Sequence, residues 1–187
     1  MEEKTQNSKQ SFLQTVDSIY GLYLDCVTGL VELRNKLINL QNQSLRMGVQ
    51  TSIEKLDTCN ITFGKGAPWE GKSLHICTQG ELKERTKRGG QDSVLMAQLF
   101  LVMIYSYWEK RFRSEIAKEQ GRSVNEIKSD IMGDLKWIRH SIIHNKGVAL
   151  PEIKKTRVIK WFKVGEFIHI DEKKFDLIVD TIKKEFK

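Results

Sequence analysis

Cysteine is scarce in this sequence. Cys26, Cys59 and Cys77 are an odd count, far apart and without a CxxC pair. That usage argues against a disulfide framework or a zinc knuckle and fits a reducing cytoplasm. A long apolar run is missing as well. The most apolar stretch, VLMAQLFLVMIYSYW from Val94 to Trp108, lasts about 15 residues before the charges EKRFR, against roughly 20 for a membrane span. It is therefore expected to be a buried core helix, and no membrane contact is expected. The first residues, MEEKTQNSKQSF, lack the basic-then-apolar order of a signal peptide, which again points to a cytoplasmic protein. No internal repeat and no low-complexity tract is found.

What is present is ordinary for a soluble globular chain. With 187 residues it can bury a sizeable core as a single domain, and 29% charged with 40% hydrophobic residues is a common balance. Lys plus Arg number 31 against 24 acidic residues, a net charge of +7. Such a surplus fits a polyanionic partner such as nucleic acid, and equally fits a soluble protein without one.

Apolar residues at Val16, Tyr20, Tyr23, Val27 and Leu30 step by three and four, predicting a long helix from Phe12 to about Leu45. Gly21 and Gly29 are the places where it could be interrupted. A glycine-rich insert at about 59–90 follows, with NITF and SLHIC as arms of a small hairpin and the basic tract KERTKR (Lys83 to Arg88) beyond. Within it, GKGAPWEGK superficially looks like a phosphate loop but lacks GxxxxGK[ST] before a helix.

A second long helix is expected from an N-cap at Asp92 or Ser93 to about Glu119, stopped by Gly121. SVNE, Ser123 to Glu126, has capping-box spacing for a third helix, with Ile127, Ile131, Leu135, Ile138 and Ile142 on one stripe. Gly147 suits a left-handed C-cap, and Pro151 confirms the stop. RVIKWFKVGEFIHI alternates around Val164-Gly165 like a β-hairpin. Asp171 can cap a last helix that turns Phe175, Ile178, Ile182 and Phe186 inward. The expected fold is an all-α bundle of about four main helices, with a small β/loop insert and a short C-terminal β-hairpin.

The end of the third helix reads WIRHSIIHNKG, Trp137 to Gly147, and holds two of the chain's four histidines beside an arginine. At about 100° per residue, His140 and His144 fall opposite the isoleucine stripe, together with Gly133, Trp137 and Ile143. A merely solvated face would not be expected to gather Trp, Ile and Gly. A homodimer through Trp137, His140 and Ile143 is the simplest reading. Arg139 stands on the border and points about 140° away from His144 on an ideal helix. The two can share a groove if the helix unwinds at His144-Asn145, or if a two-fold axis brings in a second chain.

Arg139, the polar His140 after it, three more residues and then His144 near a helix end together resemble the HEPN superfamily motif. Two long preceding helices and the YWEKRFR segment add to the likeness, which covers roughly Phe12 to Leu150. The resemblance implies a helical bundle that dimerises and acts as a metal-independent endoribonuclease, with paired motifs in one cleft. It also implies a place in bacterial defence or a toxin system, with an antitoxin or regulatory protein among its partners. HEPN toxins regulated by adenylylation carry a tyrosine two residues after the histidine. Here that position is Lys146, which removes the support for a nucleotidyltransferase antitoxin.

The chemistry can be built from the residues too. RNA is cut without metal when its 2′-hydroxyl attacks the adjacent phosphate. An imidazole can move the proton near neutral pH, and a guanidinium can hold the developing negative charge. His144 is the candidate acid/base and Arg139 the charge stabiliser. His140, Asn145 and Lys146 are candidate substrate contacts, and Glu109 could orient Arg139. No cofactor or metal is expected, since His140 and His144 lack an HExxH glutamate and an evident third ligand. Blander readings stand beside these: Arg139 as a salt-bridged helix residue, His144 as a C-cap, Glu109 as an ion-pair partner of Arg113, and KERTKR as a solvated loop. His75 and His169 are read as structural, and Met96 and Met103 as core. A catalytically silent dimer that binds RNA or a protein, or a helical assembly module, would also fit.

Overall fold

Apolar residues spaced by three and four carry the chain into α1, Ser8–Arg46, in the computed structural model, which describes residues 7–65 and 71–187. The helix passes Gly21 and Gly29 without interruption. Phe12, Val16, Ile19, Tyr23 and Val27 are buried along one face, and that packing outweighs the weak propensity of two glycines. After α2 (Ile53–Thr58), β1 (Asn60–Lys65) and β2 (Lys72–Thr78) pair antiparallel, giving the hairpin expected in the insert. The GKGAPWEGK stretch falls largely outside the described residues. Thr78 then opens α3, Gln79–Arg85, with a capping box that Glu81 completes.

The second long helix comes in three pieces. It starts as α4, Gln91–Tyr107, widens into a π turn at Trp108–Phe112, and ends as α5, Arg113–Glu119. Asp92 and Ser93 lie inside it rather than capping it, and the Ser93 hydroxyl donates to the Gly90 carbonyl at 2.8 Å. Gly121, at φ +62°, stands just beyond its end as expected.

Two expectations fail here, each for a visible reason. SVNE does form a capping box, but around a single 3-10 turn, Val124–Glu126. Ile127 then runs extended, with its carbonyl bonded to the Arg113 guanidinium at 3.1 Å, so it is buried but off the helix. The helix itself, α6, spans Asp130–His144 from an N-cap at Ser129. The C-terminal β-hairpin is also absent. The chain does turn at Val164-Gly165, but its arms pair with other groups. Phe167 bridges to Val148, and the donors of Arg157, Val158 and Ile159 go to the carboxylate of Asp134. The last helix, α7 (Glu172–Phe186), has Asp171 as N-cap and buries Phe175, Ile178, Ile182 and Phe186 as expected.

Contacts divide the chain into two compact units, with boundaries inside α1 and near the start of α4. One combines the N-terminal residues through Asp25 with Val94–Lys187. Its core sets Phe12 against Trp108, Phe112 and Phe186, ring centroids 5.1–5.5 Å apart. The other, Cys26–Ser93, buries Leu37, Leu56 and Leu82. There the buried Gln41 amide donates to Asp57 and Gln79, and Lys83 pairs with Asp57 at 2.6 Å. Burial alone would raise the Asp57 carboxyl, but the bonds from Lys83 and Gln41 outweigh it and hold it below the usual range. Among the described residues no helix is long and apolar enough to cross a membrane.

Candidate functional site

The histidine segment stays α-helical through His144 because Ile131, Leu135 and Ile138 bury one stripe of α6 completely, with Ile142 half-buried behind them. Unwinding begins only at Asn145. Lys146 (φ +51°) and Gly147 (φ +80°) then both take left-handed backbone, and the Gly147 N–H closes on the Ser141 carbonyl at 3.3 Å. A side chain at Gly147 would strike Phe167 at 2.9 Å and Gln98 at 3.0 Å. Conformation and space both demand glycine there.

A regular helix through His144 fixes what one chain can bring together. His140 and His144 are adjacent, with ring centroids 4.6 Å apart, and His144 is exposed. Arg139 and His144 remain about 140° apart around the axis, so the two are not joined in one chain by local unwinding. Arg139 is half-buried, and its Nε, shielded from solvent, has no hydrogen-bond partner among the described residues. Asn145 uses its amide NH2 on the Val148 carbonyl at 2.9 Å, leaving its side-chain oxygen outside that bond. Lys146 is exposed.

Glu109 lies in the π turn, and its carboxylate accepts the Tyr105 hydroxyl at 2.9 Å. No ion pair joins it to Arg139 or to Arg113 among the described residues. Tyr105 feels all three charges. Burial, then the bond to Glu109, pushes its hydroxyl up to about 12, while the nearby positive charges of Arg139 and Arg113 act the other way. A π turn is a frequent companion of functional positions, and this one sets Glu109 beside a buried phenol. Tyr105 is buried, as an aromatic inside an apolar run should be, and its bond to Glu109 is what that run does not announce.

The exposed side of α6 has two flanks. On one, Ile142 and Ile143 join Leu95, Leu99 and Val102 of α4 around an open, almost wholly apolar groove of about 410 Å³. Leu99 is 59% exposed and Ile143 47%. On the other flank, Trp137 carries the ammonium of Lys136 at 4.7 Å from its ring centroid and that of Lys155 at 4.6 Å. Lys155 gets there through Asp134, a 1% exposed carboxylate on α6. Its oxygens accept the N–H groups of Arg157, Val158 and Ile159 at 2.7, 2.7 and 2.6 Å, tying the chain after the Pro151–Lys155 turn to the helix. A lone acid within the apolar stripe, IMGDLKWI, was the signal for this anchor.

The KERTKR tract belongs to the other unit. There Lys83 pairs with Asp57, Arg85 with Asp92 and Lys87 with Glu84. His75 packs on Phe63, ring centroids 5.9 Å apart. Among the described residues no group of three or more His, Cys, Asp or Glu could hold a metal ion. Set against protein-family models, curated proteins and solved structures, the chain finds no match in any of the three.

Proposed function

We propose that the protein is a metal-independent endoribonuclease that cuts RNA by attack of the 2′-hydroxyl on the neighbouring phosphate. The observation that carries this reading is the end of α6. Two adjacent imidazoles and a guanidinium with an unpartnered Nε occupy the last turns of one helix. In the reaction His144 moves the proton, and Arg139 holds charge on the phosphorane. His140, Asn145 and Lys146 contact the strand. Glu109 acts on Arg139 only indirectly, through Tyr105.

The angle between Arg139 and His144 asks for a second chain. A homodimer packed on the Ile143 flank, with His140 in the seam and Trp137 at its edge, lets one protomer's Arg139 meet its partner's His144. The apolar groove beside Ile143 supports this, since exposed apolar surface of that kind marks an interaction site. Bacterial defence or a toxin system, with a regulatory protein as partner, follows from the HEPN likeness alone.

The test is mixed single-stranded RNA incubated with the protein in excess EDTA. Fragments with 2′,3′-cyclic phosphate and 5′-hydroxyl ends are expected. Intact RNA under conditions where it binds would leave a silent RNA-binding dimer instead.

A further inference from the structure

Lys136 and Lys155 set two ammonium groups against the one indole of Trp137, and neither has an ion-pair or hydrogen-bond partner among the described residues. Their nitrogens lie no further apart than the sum of those two ring distances. Two exposed ammonium groups on one ring, with no carboxylate among the described residues to hold them, are free to turn toward an anion that approaches the indole. The surroundings are basic as well. From Ile153 to Gly165 the chain has five Lys or Arg and no acidic residue. Asp134 anchors the middle of this run to α6 one turn before Trp137. His140 follows Trp137 by three residues, on the same exposed side of the helix.

We propose that Lys136, Trp137 and Lys155 form a subsite for one nucleotide of a single-stranded RNA and lead the strand onto His140 and His144. The phosphate sits between the two ammonium groups and draws them off the ring, and the unpaired base takes the ring face they leave. An indole serves an unstacked base and not a paired one, which is why the strand is single. Asp134 is a positioning residue here, because it holds the segment that brings Lys155 to the ring. The subsite rests on the reading of the protein as one that acts on RNA.

The experiment measures fluorescence anisotropy of a labelled, mixed-sequence single-stranded RNA across a salt series, using the full chain. Cleavage and sedimentation are followed on the same samples. Lys136→Ala with Lys155→Ala should make the slope of log affinity against log salt shallower by about 0.7, for the one phosphate charge no longer neutralised. Trp137→Ala should weaken binding on the order of five- to a hundredfold, and Trp137→Phe much less. Should Trp137→Ala not fold, the lysine pair decides, since both side chains are on the surface. Arg85→Ala with Lys87→Ala should leave the slope unchanged, because those side chains already face carboxylates.

An unchanged slope in the lysine pair, with RNA still cut by the wild type, overturns the subsite and leaves the nuclease standing. A shallower slope with no cleavage by the wild type keeps the subsite and removes the nuclease. Dissociation of the dimer with unchanged affinity per chain makes this surface a protein seam and overturns the subsite.

Discussion

Asp134 and Val158, twenty-four positions apart, are joined by a 2.7 Å hydrogen bond from the backbone N–H of Val158 to the carboxylate of Asp134. The same oxygen accepts from Ile159, and the other from Arg157. One side chain thus satisfies three consecutive donors that a β-ladder would otherwise take. Asp134→Ala strands them, and each buried group left unpaired costs about 1–3 kcal/mol. Only Ile159 among the three is a buried residue, so a fall of about 1–3 kcal/mol in stability, read by urea unfolding, is expected. Asp134→Asn should also destabilise, since its NH2 turns a donor toward donors. Near-wild-type stability in both variants would refute this account of the segment.

Replacing His144 or Arg139 by alanine should remove cleavage while leaving the fold intact. His144 is exposed and Arg139 half-buried, and neither fills the main core. Each substitution should cost about 10²–10⁴-fold in rate, and the double variant should be no worse than the poorer single one. Rates on one RNA, with circular dichroism alongside, decide it. A folded His144→Ala protein that cuts normally would sink the assignment.

Charge placed in the apolar groove should separate the protomers. Ile143→Glu or Leu99→Glu puts a carboxylate where an apolar seam is proposed, on side chains already open to solvent, so the single chain keeps its core. Sedimentation at tens of micromolar, on the order of where weak dimers still form, should show a dimer for the wild type and a monomer for either variant. Cleavage should fall with the dimer. Full activity in a monomeric variant would mean that one chain suffices.

Tyr105 predicts an alkaline limit. Its hydroxyl is raised from the ordinary 10.0 to about 12, chiefly by burial and then by the bond to Glu109. A raised group stabilises the fold fully below its unfolded value and ceases to do so as pH climbs through its folded one. Stability should therefore drain between pH 10 and about 12. Tyr20, raised to about 12 by its bond to Asp176, adds to the same window. Urea midpoints across that range should fall less steeply in Tyr105→Phe, and identical slopes would show that Tyr105 carries none of the effect.

Much of the helical frame was legible because burial leaves a period in the sequence. The stripe of α7, its Asp171 cap, the length of α1 and the stop at Gly121 all follow from local rules. What failed was decided at a distance. SVNE satisfies its capping box equally well on one 3-10 turn, and the Ile127 carbonyl accepts from the distant Arg113 instead of a helical N–H. RVIKWFKVGEFIHI alternates like a hairpin, yet its donors are claimed by an aspartate that no hairpin rule consults. At the candidate site, the arginine and histidines stood out as a cluster in WIRHSIIHNKG, and the resemblance gave them their roles. Tyr105 and Lys155 did not stand out, since each depends on which neighbour the fold supplies.

Gly147 has a consequence for how far the motif extends. The helix end is fastened from downstream: the Ile168 N–H donates to the Gly147 carbonyl at 2.7 Å, and the Gln98 amide donates to Ile168 at 2.8 Å. A fragment ending near Leu150 would retain every residue of the arginine–histidine signature yet lack the clasp that holds its last turn. The smallest heritable unit of this site therefore reaches well past the letters that spell it, and a graft of WIRHSIIHNKG alone onto another helix would carry the residues without their posture.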